Sequence, residues 1–316
     1  MEKKGSFNKT IKIIGNIVML IAIIFIVKRL IQYDIDYSII IKDNNLIIFI
    51  ILVFAYAVSV VLSSIPWKNI VYLMTGENIK FVDVATVSTK ANVMKYIPGN
   101  VFQYIGRNGL AVEKGLKHTD VALSTLLDVV INLGTVFLVT LFFAFDTVRN
   151  WFNEHVKPVY VIVLLLAGAI CVSLLIILLY KKKEKYKETI KRIFSKHGIA
   201  TIFFNILVYA VLSLYTTIIY MIVMYVISDG SFDLSLLYYV AGAILASWIL
   251  GFITPGAPGG MGIRETVLIM LLGNIMKEQV ILLSVVVNRV VSILGDVLAL
   301  VAMQVINKLW RTKKSE

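Results

Sequence analysis

Long unbroken apolar runs leave a chain few options, because only a helix or a closed barrel satisfies its own backbone polar groups in hydrocarbon. Such runs occupy residues 11–30, 46–66, 119–145, 158–180, 199–227 and 280–305. Each is about 20 residues or more, the length that crosses a bilayer as a helix. A barrel strand would alternate apolar and polar residues over roughly ten positions, and these runs are continuous. The expected fold is therefore all-α: a polytopic helical membrane protein with about six full spans.

Two segments break the pattern. Lys95 to Arg107 reads KYIPGNVFQYIGR, with Pro98 and Gly99 at its centre. Phe252 to Glu265 reads FITPGAPGGMGIRE, where Pro255, Pro258, Gly259, Gly260 and Gly262 interrupt what would otherwise be a further span. Proline removes a helix donor, glycine weakens the helix, and non-helical backbone at membrane depth survives only inside protein or beside a water-filled cavity. Each flank of a break is too short to cross alone. Residues 81–117 and 234–273 are accordingly expected as hairpins that enter and leave on one side.

Charge sets the sidedness. The net charge is +12, with 31 Lys and Arg against 19 Asp and Glu. On a membrane protein this excess is expected in cytoplasmic loops rather than on a nucleic-acid surface, so no nucleic-acid partner is expected. Residues 181–196 alone hold eight Lys and Arg against two Glu, and Lys3, Lys4, Lys9 and Lys12 precede the first run, whereas Lys308, Arg311, Lys313 and Lys314 follow the last. Both termini are then cytoplasmic, in a plasma-membrane protein. Counting crossings makes the first hairpin enter from inside and the second from outside. Opposed broken hairpins in two halves, about 1–146 and 157–316, form the pattern of an inverted repeat around a midplane site within a single transmembrane domain.

Polar side chains inside the runs are the candidate site. Asp120, Ser124, Asp128 and Asn132 follow one another at i, i+4, as do Ser284, Asn288, Ser292 and Asp296, so each set shares a helix face. Asp128 and Asp296 are costly to ionise in a membrane unless paired or facing a cavity, and are candidates for proton or ion coupling. Only seven arginines occur, and Arg107, Arg264 and Arg289 lie in or beside the breaks and the last run. A guanidinium fork suits phosphate, and helix starts freed by the breaks favour anions. Lys95, Arg107, Arg264, Glu265 and Arg289 are therefore the expected substrate contacts. The competing reading is purely structural, with Arg264–Glu265 and Arg289–Asp296 neutralising each other. Cys171 is the single cysteine and His118, His155 and His197 are scattered, so no disulfide, metal or other cofactor is expected. No nucleophile–base pattern marks a catalytic residue.

The two motifs, KYIPGNVFQYIGR and the fairly specific TPGAPGGMGIRE, resemble the transmembrane region of lysylphosphatidylglycerol synthases, the multiple peptide resistance factor family, over nearly the whole chain. The resemblance implies lipid handling: flippase-like movement of a phosphate-headgroup lipid, such as lysyl-phosphatidylglycerol, between leaflets. In full-length relatives a soluble C-terminal domain attaches the lysine. The residues after the last run leave no room for it here, so a membrane phospholipid is the expected partner. Two alternatives follow from the same resemblance: a phosphatidylglycerol lysyltransferase or other lipid-modifying enzyme, and a non-catalytic partner of a separate synthase or glycosyltransferase.

Overall fold

A computed structural model describes residues 37–42, 44–96, 102–143, 183–231, 234–254 and 260–315. Among these, every regular element is helical. The expected spans at 11–30 and 158–180, and the break residues Pro98, Gly99, Pro255, Pro258 and Gly259, lie outside the described residues. Four helical stretches are long and apolar enough to cross a membrane: Asn45–Thr75, His118–Phe143, Lys196–Ile227 and Glu278–Thr312. The chain is an all-α polytopic membrane protein.

The first of these stretches is interrupted rather than continuous. Helix α1 (Asn45–Leu62) gives way at Ser63 to α2 (Ser64–Thr75). Pro66 explains the interruption, since it has no N–H to offer the Leu62 carbonyl one turn back and its ring crowds that carbonyl. The run thus extends nine residues past its expected end at Pro66. Gly76 stops α2 in the left-handed conformation, φ 79°, that a C-terminal glycine supplies without strain. Buried Asn205, from the long helix that follows, donates to the Pro66 carbonyl at 3.2 Å and accepts from Asn69 at 2.9 Å. Such amide contacts hold membrane helices together.

Four elements build the hairpins. In the first, α3 (Phe81–Val93) runs through a 3-10 turn, Met94–Tyr96, towards the break, and α4 (Phe102–Val112) returns and packs on α3. Then come α5 (His118–Phe143), the basic α6 (Lys183–Ile193) and α7 (Lys196–Ile227). Arg192 of α6 donates to the Leu73 and Met74 carbonyls at 3.1 Å each, covering the exposed end of α2. In the second hairpin, α8 (Leu237–Ile253) and α9 (Ile263–Leu272) pack together, and the Tyr239 hydroxyl donates to the Leu271 carbonyl at 2.6 Å across the base. The chain closes with α10 (Glu278–Ser315).

Helix α10 is the frame on which both hairpins rest. At its C-terminal part, Arg311 lies 3.5 Å from Asp83 and the Trp310 ring lies beneath Lys80, so the base of the first hairpin is at that end. At its N-terminal part, Ile281 shares a core with Leu268 and Leu272, so the base of the second hairpin is at the other end. Thirty residues separate Ile281 from Arg311, about 45 Å of helix. The two tips reach α10 between these ends, at Asp296 and Arg289. The hairpins therefore run towards each other from opposite ends of α10.

The outside is apolar. Ile50, Ile51, Phe54 and Val58 of α1, Phe203, Leu207 and Val211 of α7, and Val290, Ile293, Val297 and Val301 of α10 are all exposed. Asp128, Ser124, Asn205, Ser247, Glu265, Ser284 and Asp296 are buried. A hydrocarbon-facing surface around a polar interior is what a bilayer demands of a bundle.

Candidate functional site

The first hairpin tip closes on Asp296. Its carboxylate, fully buried, accepts from Asn92 Nδ2 at 2.6 Å and from the Tyr96 hydroxyl, and lies 2.7 Å from Lys95 Nζ. All three donors lie within five residues, 92–96, because the 3-10 turn after α3 directs them the same way. Lys95 also sits over the rings of Tyr96 and Tyr56, at 5.3 and 6.0 Å from their centroids, so its charge is covered on several sides.

On the returning arm, Arg107 donates from Nη1 to Asp128 Oδ2 of α5 at 2.7 Å, and its guanidinium lies 4.9 Å from the centre of the Trp67 ring. The other oxygen of Asp128 accepts from the Tyr209 hydroxyl of α7. Three helices are joined through this one carboxylate. Leaving it without Arg107 would strand a buried charge, so the pair is an obligate one.

The second tip uses the opposite polarity. Here the hairpin supplies the acid: Glu265 Oε1, fully buried, accepts from Arg289 of α10 at 2.8 Å from Nη2 and 3.2 Å from Nε. Arg264, the neighbour of Glu265, has a different environment. Its side chain threads between two glycine backbones, where a Cβ on Gly251 would come within 2.6 Å of Arg264 Cγ and one on Gly260 within 2.8 Å of Arg264 Nε. Gly260 is also held at φ 74° and Gly262 at φ 84°, where a side chain is strained. Arg264 Nε has no hydrogen-bond partner, and among the described residues no carboxylate pairs with this guanidinium.

These groups meet in one cavity of about 590 Å³. Lys95, Arg107, Arg264 and Arg289 all line it, together with Asp128, Asn132, Asn288 and Ser292, while Trp248 and Phe252 stack on each other along its wall. Every proposed contact residue that the structure describes is thus at or directly behind one wall system, Glu265 and Asp296 being buried behind their cations. The structural pairing suggested by sequence proximity is not the one observed. Arg264 does not pair with Glu265, and Arg289 does not pair with Asp296. Adjacent residues on a helix point about 100° apart, and residues seven apart lie about 10 Å along it, so neither pair can close.

The sequence reading passed over Asn92, Tyr96, Tyr209 and Gly251. For Asn92 and Tyr96 a signal existed, since both flank Lys95 immediately before a Pro-Gly break. Tyr209 and Gly251 sit in ordinary apolar helices, and nothing in their neighbourhood distinguishes them from packing residues.

Chemically, the cavity offers paired charges that hold the bundle together and one guanidinium that no described carboxylate answers. A planar fork in a low-dielectric setting is a receptor for a phosphate or carboxylate oxygen pair. Comparison with curated proteins gives no match. A family model described as the lysylphosphatidylglycerol synthase TM region matches residues 13–299. With the cavity, the two hairpins and α10 all inside that match, the chain belongs to the lysylphosphatidylglycerol synthase transmembrane-region family.

Proposed function

We propose that this protein moves a lipid with a phosphate headgroup between the leaflets of the cytoplasmic membrane, with both termini on the cytoplasmic side. The observation that carries this reading is Arg264, an unpaired cation held in a glycine slot at the meeting point of two opposed hairpins. The barrier to lipid crossing is chiefly headgroup desolvation, and a polar cavity open to a single headgroup replaces lost water while the acyl chains stay in hydrocarbon. The phosphate would take the guanidinium of Arg264, which lines the cavity. Asp128 and Asp296 supply a route to coupling, because a proton on either would release Arg107 or Lys95 from its ion pair.

The test is leaflet exchange in proteoliposomes, read with labelled phosphatidylglycerol. Wild-type protein should accelerate exchange over protein-free vesicles, and Arg264→Ala should slow it about tenfold or more, the effect of losing one charge-assisted contact. Exchange by Arg264→Ala at the wild-type rate would remove Arg264 from the mechanism. The sidedness is tested on its own by cysteine labelling in a Cys171→Ser background: Asn274→Cys should react only from outside, and reaction from the cytoplasm would overturn the opposed hairpins.

A further inference from the structure

A second basic cavity lies apart from the central one, at the base of the first hairpin. It measures about 390 Å³ and sits between α3, the turn after α4 and the C-terminal part of α10. Gln304, Asn307, Lys308 and Arg311 follow at i, i+3, i+4 and i+7, so they share one face of α10. Lys90 comes from α3 and Lys114 from the turn after α4. Four cations from three elements thus line a space of the size that holds a small ligand. Glu113 is the one carboxylate in the described lining. Lys114 donates to Asp83 at 2.8 Å, and Arg311 lies 3.5 Å from the same carboxylate. Lys90 and Lys308 make no ion pair or side-chain hydrogen bond with a described residue.

The level of this cavity points to what fills it. The apolar outward face of α10 runs through Val301, Val305 and Ile306 and ends at Leu309 and Trp310, all of them exposed. A tryptophan that ends an apolar face marks the depth of the lipid headgroups, where one part of its ring meets hydrocarbon and the other water. Lys308 and Arg311 stand on the same turn as Trp310, so the cavity lies at headgroup level. We infer that it is a peripheral site for the phosphate of an anionic lipid in the surrounding leaflet, and that the bound lipid ties the base of the first hairpin to α10. Lys90 and Lys114 would hold the phosphate from the hairpin side, Lys308 and Arg311 from the α10 side, and Gln304 adds an amide donor. Anionic lipids gather at basic surfaces, and cations set around a pocket hold one headgroup in place. The tie has something to add here. The hairpin tip is held by pairs on fully buried carboxylates, whereas its base is held through Asp83, which is 29% exposed, and such pairs contribute little by themselves.

The experiment melts the full chain in neutral detergent with dioctanoyl phosphatidic acid, dioctanoyl phosphatidylcholine or inorganic phosphate at equal concentration. Phosphatidic acid is the probe because its headgroup is a phosphate alone. It should raise Tm by about 3 °C more than phosphatidylcholine does, and inorganic phosphate should give less than half of that rise. Lys90→Gln combined with Lys308→Gln should abolish the difference between the two lipids, whereas Lys90→Arg combined with Lys308→Arg should keep it. Both lysines are exposed, so these changes leave the packing alone. Arg264→Ala should keep the difference as well, since Arg264 lines only the central cavity. A difference that survives the two glutamines, or that disappears in Arg264→Ala, would overturn the inference by moving the lipid elsewhere. Equal shifts with both lipids in the wild type would overturn it too. Inorganic phosphate matching phosphatidic acid would overturn the assignment to a lipid.

Discussion

The two hairpins share an architecture and differ in what their tips leave undone. In the first, Asn92, Lys95 and Tyr96 converge on one buried carboxylate, and Arg107 on the returning arm is matched by Asp128. In the second, Glu265 is matched by Arg289, but no described carboxylate pairs with its neighbour Arg264. The polarity is reversed as well. The first tip gives a cation to an acid on α10, and the second gives an acid to a cation on α10. A tip whose charges are all answered is a clamp, and the proposed headgroup contact falls on the tip that keeps a charge in reserve.

The largest effect is expected where the clamp is broken. Asp296→Ala would leave Lys95 uncompensated and remove the acceptor of Asn92 and Tyr96, at a cost of roughly 3 kcal/mol or more in stability. Equilibrium unfolding in detergent micelles measures it, and adding Lys95→Met should recover at least half of the loss by removing the stranded charge. A loss below about 1 kcal/mol, a value typical of a dispensable ion pair, would dissolve the distinction between the hairpins. An intermediate effect is expected of Glu265→Gln. Arg289 is left without its acid but is 22% exposed and faces the polar cavity, so the stability cost should be roughly half that of Asp296→Ala. The same unfolding assay ranks the two. The smallest stability change belongs to Gly251→Ala. Its new methyl would press on the stem of Arg264, within 2.6 Å of Cγ, rather than on backbone, so the side chain must move aside, costing about 1 kcal/mol. Its functional effect should be large by contrast, since the guanidinium is displaced from its slot. Phosphatidylglycerol exchange measured beside a melting curve separates the two quantities, and loss of both together would recast the slot as plain packing.

Much of the fold was legible because its signals are strong and local. Proline and glycine inside apolar runs announce breaks, and each broken segment folds into a packed pair of helices. The charges that line the cavity were legible for the same reason, since arginine and aspartate are conspicuous in apolar sequence. Partnership was another matter. Lys95 and Asp296 stand 201 residues apart, and their pairing follows from how far the first hairpin reaches along α10, which no local pattern encodes. The glycine slot was equally hidden, because Gly251 precedes the break and only the packing of α8 on α9 brings it against Arg264. The direction of a side chain on a short helix, 100° per residue, was available from arithmetic and would have excluded the Arg264–Glu265 pair.

Helix α10 carries both anchor points, Arg289 and Asp296, on one rigid rod. Seven residues are nearly two full turns, so the two side chains leave the helix on the same side and meet tips that come from opposite directions. The interval itself is thereby a specification. Deleting or inserting a single residue between them would swing one anchor by about 100° and shift it by about 1.5 Å, detaching one hairpin while every charged residue remained in the sequence. The protein's tolerance to length change in this stretch should be far lower than its tolerance to substitution of the aliphatic residues, such as Val290 and Ile293, that face outward from the same two turns.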